Sequence, residues 1–216
     1  MSRQRRSLTI LATLFASSLV VLPAGIAQAS GFSDGYDAVF EQAMIDRGHD
    51  SGALDGKLPL NTIRKITSLD LSGVQFTNFG GFRFFNDFSS LRSLNISGNT
   101  QIQSINNWSL PEGLQSLNIS GMTSLTYISI MSSGGFGNGT RPLALTTLTT
   151  GNNTLLSEIS VRDANLSSIE VTGLNALVSL DLTGNRFTQV SLSNLPELSQ
   201  VMLQRNRLSS LTFTNI

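Results

Sequence analysis

The C-terminal part of the chain repeats with a period of 21 residues. Leu156, Leu177 and Leu198 share one column; Ile159, Leu180 and Val201 the next; Val161, Leu182 and Leu203 a third. The register continues through Leu166, Phe187 and Leu208, then Ile169, Val190 and Leu211, then Val171, Leu192 and Phe213, then Leu174, Leu195 and Ile216. A further column holds Asn185 and Asn206, with Ala164 in the first copy. A coil of this length cannot enclose its own apolar side chains. Stacking coils buries them as one continuous core, so the period demands a solenoid.

Upstream copies are less regular. They are Ile66-x-x-Leu69-x-Leu71, then Leu91-x-x-Leu94-x-Ile96-x-x-Asn99 continued by Ile102 and Ile105, then Leu114-x-x-Leu117-x-Ile119. Leu125-x-x-Ile128-x-Ile130 follows only 11 residues later, and Leu145-x-x-Leu148 comes after a Gly-rich interruption. The full motif, L-x-x-L-x-L-x-x-N-x-L, resembles the leucine-rich-repeat family, in particular short-repeat, internalin-like bacterial extracellular members. The likeness covers roughly residues 60 to 216 and is weaker before 90 and over 131–155. It implies a parallel concave sheet, a short helical N-terminal cap, and asparagines that satisfy backbone groups of neighbouring coils. The short period leaves no room for long helices on the convex side, so 3₁₀ or extended segments are expected there and the solenoid should be mainly β. The two halves of each repeat look alike, which leaves open which upstream half is concave.

Side chains alternate between the two faces of a strand. L-x-L therefore points two apolar residues inward and the residue between them outward. If all copies share one sheet, its outer face carries Ser68 and Asp70, Ser93 and Asn95, Ser116 and Asn118, Tyr127 and Ser129, Glu158 and Ser160, Ser179 and Asp181, Gln200 and Met202. From these, Asp70, Asn95, Asn118, Tyr127, Glu158, Asp181 and Met202 are the candidate ligand-binding residues. The face is polar and poor in the aromatic and Arg side chains that dominate tight protein interfaces, which suits a polar ligand such as a glycan as well as a protein. Arg162, Arg186, Arg205 and Arg207 fall just beyond strands and, with Glu158 and Asp181, suggest a mixed-charge rim. Ser/Thr-Gly pairs at Gly73, Gly98, Gly121, Gly151, Gly173 and Gly184 mark tight corners, where glycine accommodates positive φ.

Residues 1–29 read as an export signal. Arg3, Arg5 and Arg6 precede the apolar run from Leu8 to Leu22, and Ala27-Gln28-Ala29 supplies a cleavage site. The run is short for a membrane span, and no second apolar stretch follows. The mature chain is thus expected to be secreted, periplasmic or at the cell surface, with no membrane span after cleavage. Residues 30–63 form the cap region and 64–216 the solenoid. Asp34 to Arg47 places Tyr36, Val39, Phe40, Ala43 and Met44 near helical spacing. The acids of this region, Asp34, Asp37, Glu41, Asp46 and Asp50, lack the loop pattern of a calcium site and read as a solvated helix face. A Phe-rich run, FTNFGGFRFFNDF (76–88), repeats Phe every three residues; Phe84 falls out of step and is a further candidate for ligand contact. Residues 132–142, SSGGFGNGTRP, read as an inserted loop containing Phe136 and Arg141.

Composition narrows the chemistry. Formal net charge is zero, which gives no reason to expect nucleic acid or an anionic membrane as partner. Cys is absent and His49 is the single histidine, which removes disulfides, thiolate chemistry and multi-histidine metal sites. A Cys-free exported repeat protein points to a bacterial source. No nucleophile elbow, zinc-protease motif or phosphate loop occurs, so neither enzyme nor cofactor is expected. The expected role is recognition of a protein or glycan at the cell surface or outside the cell; the alternative is a structural envelope protein. Ile216 falls in the column of Leu174 and Leu195, so self-association through an apolar C-terminal end is a further expectation.

Overall fold

A computed structural model describes residues 32–77, 87–106, 110–111, 113–131 and 143–216. The segment expected to be an export signal (1–29), Phe79, Phe82, Phe84 and Phe85, and residues 132–142 with Phe136 and Arg141, lie outside the described residues. Residues Gly31–Ile216 form one compact unit.

The fold is a parallel β-solenoid in which each full coil contributes two strands. The first sheet stacks β3 (Ser68–Asp70), β4 (Ser93–Asn95), β6 (Ser116–Asn118), β8 (Thr147–Thr149) and β10 (Ser168–Glu170) in that spatial order. Leu69, Leu94, Leu117, Leu148 and Ile169 lie in register across it. The second sheet stacks β5 (Ser104–Asn106), β7 (Tyr127–Met131), β9 (Glu158–Arg162), β11 (Ser179–Asp181) and β13 (Gln200–Met202). Its register runs through Ile105, Ile128, Ile159, Leu180 and Val201. Two further strands, β12 (Gln189–Ser193) and β14 (Ser210–Thr214), pair with each other and continue the first sheet's 21-residue spacing from Ile169 through Val190 to Leu211.

The segment expected to run extended or 3₁₀ on the convex side is thus itself strand, and the triplets that look alike in sequence belong to different sheets. Those beginning at Ile66, Leu91, Leu114 and Leu145 enter the first sheet. Those beginning at Leu125, Leu156, Leu177 and Leu198 enter the second. The 11-residue step from Leu114 to Leu125 is half a coil. Alternation buries an apolar residue in most strands of the two sheets, and the columns from Leu69 to Leu195 join in one core. A buried Leu of this kind contributes roughly 2–3 kcal/mol.

Asparagines hold the corners, as the family resemblance implies. Asn185 Nδ2 donates to the carbonyls of Val161 (2.7 Å) and Leu182 (2.9 Å), and its Oδ1 accepts from Leu166 N–H (3.2 Å). Asn206 repeats this one coil later with Leu182, Leu203 and Phe187. Asn99 does so for Val74 and Phe76, and Asn153, absent from the sequence motif, for Ile119 and Met122. Four residues beyond the in-register apolar residues Leu69, Leu94, Leu117, Ile169 and Leu180 the backbone turns into positive φ, at Gly73, Gly98, Gly121, Gly173 and Gly184. Gly151 is not such a corner, contrary to the Thr-Gly reading. It sits one position early, and Asn152 takes the turn at φ 63. Asp163, Asn194, Arg205 and Asn215 hold the same place in their coils.

The cap forms from β1 (Phe32–Asp34), α1 (Ala38–Asp46), β2 (Lys57–Pro59) and α2 (Leu60–Ile63). Asp37 Oδ1 accepts from Val39 N–H at 2.8 Å and starts α1, as an acidic N-cap should. Phe40, Ala43 and Met44 face the core; Val39 does not, because it lies on the helix's opposite side and is 47% exposed. Phe40 stacks on Tyr36 and meets Phe76 and Phe88 edge-on at 6.0 and 6.3 Å. Both described ends of the Phe-rich run therefore pack under the cap. Glu41 departs from the solvated face expected of the cap acids. It is buried, and its carboxylate accepts from Asp55 and Gly56 N–H, each at 2.9 Å.

Candidate functional site

The candidate residues do not share one surface. Asp70, Asn95 and Asn118 stand on the outer face of the first sheet, while Tyr127, Glu158, Asp181 and Met202 stand on the second. The expected single face divides because both half-coils present the same small-apolar-polar triplet, such as Ser93-Leu94-Asn95 and Ser179-Leu180-Asp181.

Four of these residues already have work within the fold. Asp70 Oδ1 accepts from Ser72 N–H (2.9 Å), Asn95 Oδ1 from Ser97 N–H (3.1 Å), Asn118 Oδ1 from Ser120 N–H (3.1 Å), and Asp181 Oδ1 from Thr183 N–H (2.9 Å). These are Asx turns that lead each strand into its corner. The Ser72 N–H and hydroxyl hold the Asp70 carboxyl below its usual range, helped by Arg47 and opposed by partial burial.

The outer face of the first sheet is a regular array of small polar groups. One row runs Ser68, Ser93, Ser116, Thr147, Ser168, and the next Asp70, Asn95, Asn118, Thr149, Glu170. The second sheet is chemically richer. One row runs Tyr127, Glu158, Ser179, Gln200; the next runs Ser129, Ser160, Asp181, Met202; and Met131 pairs with Arg162 at the strand ends. Strands sit about 4.8 Å apart, so neighbours in a row are in direct reach of one another. Tyr127 and Met202 are half-buried, and Met131 and Glu158 are exposed.

An ion pair anchors this second face. Arg162 is the last residue of β9 rather than beyond it, and its guanidinium engages Asp181 Oδ2 through both Nε and Nη2. Asp181 is 2% exposed. Burial pushes its carboxyl up, but the Thr183 hydroxyl and N–H together with Arg162 outweigh burial and hold it below the usual carboxylate value. Of the other rim arginines, Arg205 pairs with Asp163 at 2.8 Å, not with Glu158; Arg186 and Arg207 are exposed. Among the described residues no group of three or more acids or His is placed to hold a metal ion, and no helix is long and apolar enough to cross a membrane.

Sequence reasoning missed Met131 and Arg162 as face residues, and it missed β5, β10, β12 and β14 as strands. The signal was present: Ser104-Ile105-Asn106 and Ser168-Ile169-Glu170 repeat the triplet of the recognised strands.

No family model matches the chain, and no curated protein sequence matches it. Among solved structures it is similar to internalin C2 from Listeria monocytogenes str. 4b F2365, at 18% identity over 87% of this chain and 92% of that one, with a TM-score of 0.33. It is similar also to InlP of Listeria monocytogenes, at 16% identity over 80% and 63% with a TM-score of 0.29, and to an internalin (inlF) of strain 4b F2365, at 15% over 91% and 79% with a TM-score of 0.27. At these scores the likenesses carry no argument about a ligand; the architecture rests on the strand registers above.

Proposed function

We propose that the protein is an exported, non-enzymatic binding module, and that the outer face of the second sheet recognises a protein or glycan at the cell surface or outside the cell. The observation that carries this reading is the gathering of Tyr127, Glu158, Met202, Met131 and Arg162 on one face, while the first sheet offers hydroxyls, amides and the carboxylates of Asp70 and Glu170, with no aromatic, thioether or guanidinium group among its described strand residues. Tyr, Met and Arg are the side chains enriched where interfaces derive their affinity. The Arg162–Asp181 pair adds a fixed dipole at the centre of the patch. The tripartite pattern of residues 1–29 supports export. The test is capture of a surface molecule from cell-envelope and host-cell extracts, followed by the variants Tyr127→Ala and Arg162→Ala. Each should weaken binding about tenfold or more, the scale of a hot-spot loss. Undiminished binding by both variants would sink the reading.

A further inference from the structure

A depression of about 500 Å³ lies where the cap meets the first coil, far along the solenoid from the second sheet's richest strands. It is lined by His49, Asn61, Thr62, Lys65, Ile66, Thr67 and Ser68. Ile66 is buried and forms an apolar floor, and every other lining side chain carries a hydrogen-bonding group. No carboxylate lines it. The acids of the surrounding cap have partners elsewhere: Asp37 caps α1, Glu41 holds Asp55 and Gly56, Asp46 accepts from Gln42, Asp50 from Ser51 N–H, and Asp55 pairs with Lys57. Lys65 has no ion pair among the described residues, and neither ring nitrogen of His49 has a hydrogen bond there. The volume suits a small molecule rather than a bare ion.

The backbone adds to the site. β3 is the edge strand of the first sheet. Thr67 C=O and Leu71 N–H bond to β4, so alternation along a parallel strand turns the backbone groups of Ser68 and Asp70 toward the free edge. The cap covers one of these: Arg47 Nε donates to Asp70 C=O at 2.6 Å. The N–H and C=O of Ser68 are left facing the depression beside its own hydroxyl.

We infer that this depression binds a carboxylated sugar, with Lys65 and His49 on the carboxylate and with Thr62, Thr67, Asn61 and the Ser68 edge on ring hydroxyls. A sugar acid matches the lining in both respects: one charge to meet an unpaired ammonium, and several hydroxyls to meet hydroxyls, an amide and one open backbone pair. A peptide C-terminus shares the carboxylate. It would need a longer run of free strand edge and an apolar pocket for a side chain, and the depression offers one residue of edge and Ile66 alone.

The experiment is an amide-resolved NMR titration of the purified protein with D-glucuronate, D-glucose, acetate and the tripeptide Ala-Ala-Ala. Glucuronate should bind saturably, shift the Ser68 amide and its neighbours over 61–68, and bind at least about tenfold more tightly than the other three. Lys65→Gln and His49→Gln should each weaken it about tenfold, the scale of one charge-assisted hydrogen bond. Lys65 is exposed, so Lys65→Gln leaves the fold intact and keeps the test decisive if His49→Gln does not fold. Absence of saturable shifts overturns the inference. So do equal affinity for acetate, meaning an adventitious ion only, tighter binding of the tripeptide, or an unchanged affinity in Lys65→Gln.

Discussion

Asn185 is buried at a corner and satisfies backbone groups of two coils at once, Val161 C=O and Leu166 N–H in one and Leu182 C=O in the next. Alanine leaves all three without that partner in a dry environment. Asn185→Ala should therefore cost about 2–4 kcal/mol, measured by urea unfolding, whereas Asn175→Ala on the exposed surface should stay within about 0.5 kcal/mol. Asp181 makes a pH prediction. Its folded carboxyl titrates below the unfolded value of about 3.9, so the stability it contributes is present above that value and is lost as pH falls through the folded one. Acid unfolding below about pH 4 should be less steep in Asp181→Asn than in the parent chain; identical acid limbs would show that the carboxyl is not held as described. The same residue shows why site reading from sequence fell short. An Asx turn and an exposed ligand contact ask for the same residue types, so Asp70, Asn95, Asn118 and Asp181 looked like surface groups while serving the corners.

At the scale of strands, β7 and β9 pair over five residues, from Tyr127 with Glu158 to Met131 with Arg162, although 31 residues separate the partners rather than 21. The first sheet shows the same excess between Leu117 and Leu148. One insertion, 132–142, accounts for both, since it falls after β7 and before β8. Loop length enters closure entropy only logarithmically. Deleting ten residues within 132–142 should thus preserve the β-sheet circular dichroism and change stability by less than about 1 kcal/mol; collapse of the fold would place that segment inside the core. The period, the core columns, the cap helix and the Asn corners were all legible from apolar spacing and the repeated Asn. The assignment of triplets to sheets was not. A half-coil shift moves a triplet from one sheet to the other without altering its pattern, and only the 11-residue step from Leu114 to Leu125 hinted at it.

At the scale of the molecule, stacked coils contact only their neighbours, so a solenoid presents long flat faces instead of a cleft. Two such faces arise here from one repeat, and the sequence between the core columns has made them different. The first carries Ser, Thr and Asn with a carboxylate at each end, Asp70 and Glu170; the second adds aromatic, thioether and guanidinium side chains over four adjacent strands. That asymmetry is the reason to place recognition on the second sheet. The most direct measurement is a paired comparison on the captured ligand: Tyr127→Ala with Met202→Ala on one face, against Ser93→Arg with Ser116→Arg on the other. The account predicts that affinity falls at least about tenfold in the first pair and stays within about twofold in the second. Loss of binding only in the Ser93 and Ser116 variants would contradict it and move the binding surface to the first sheet.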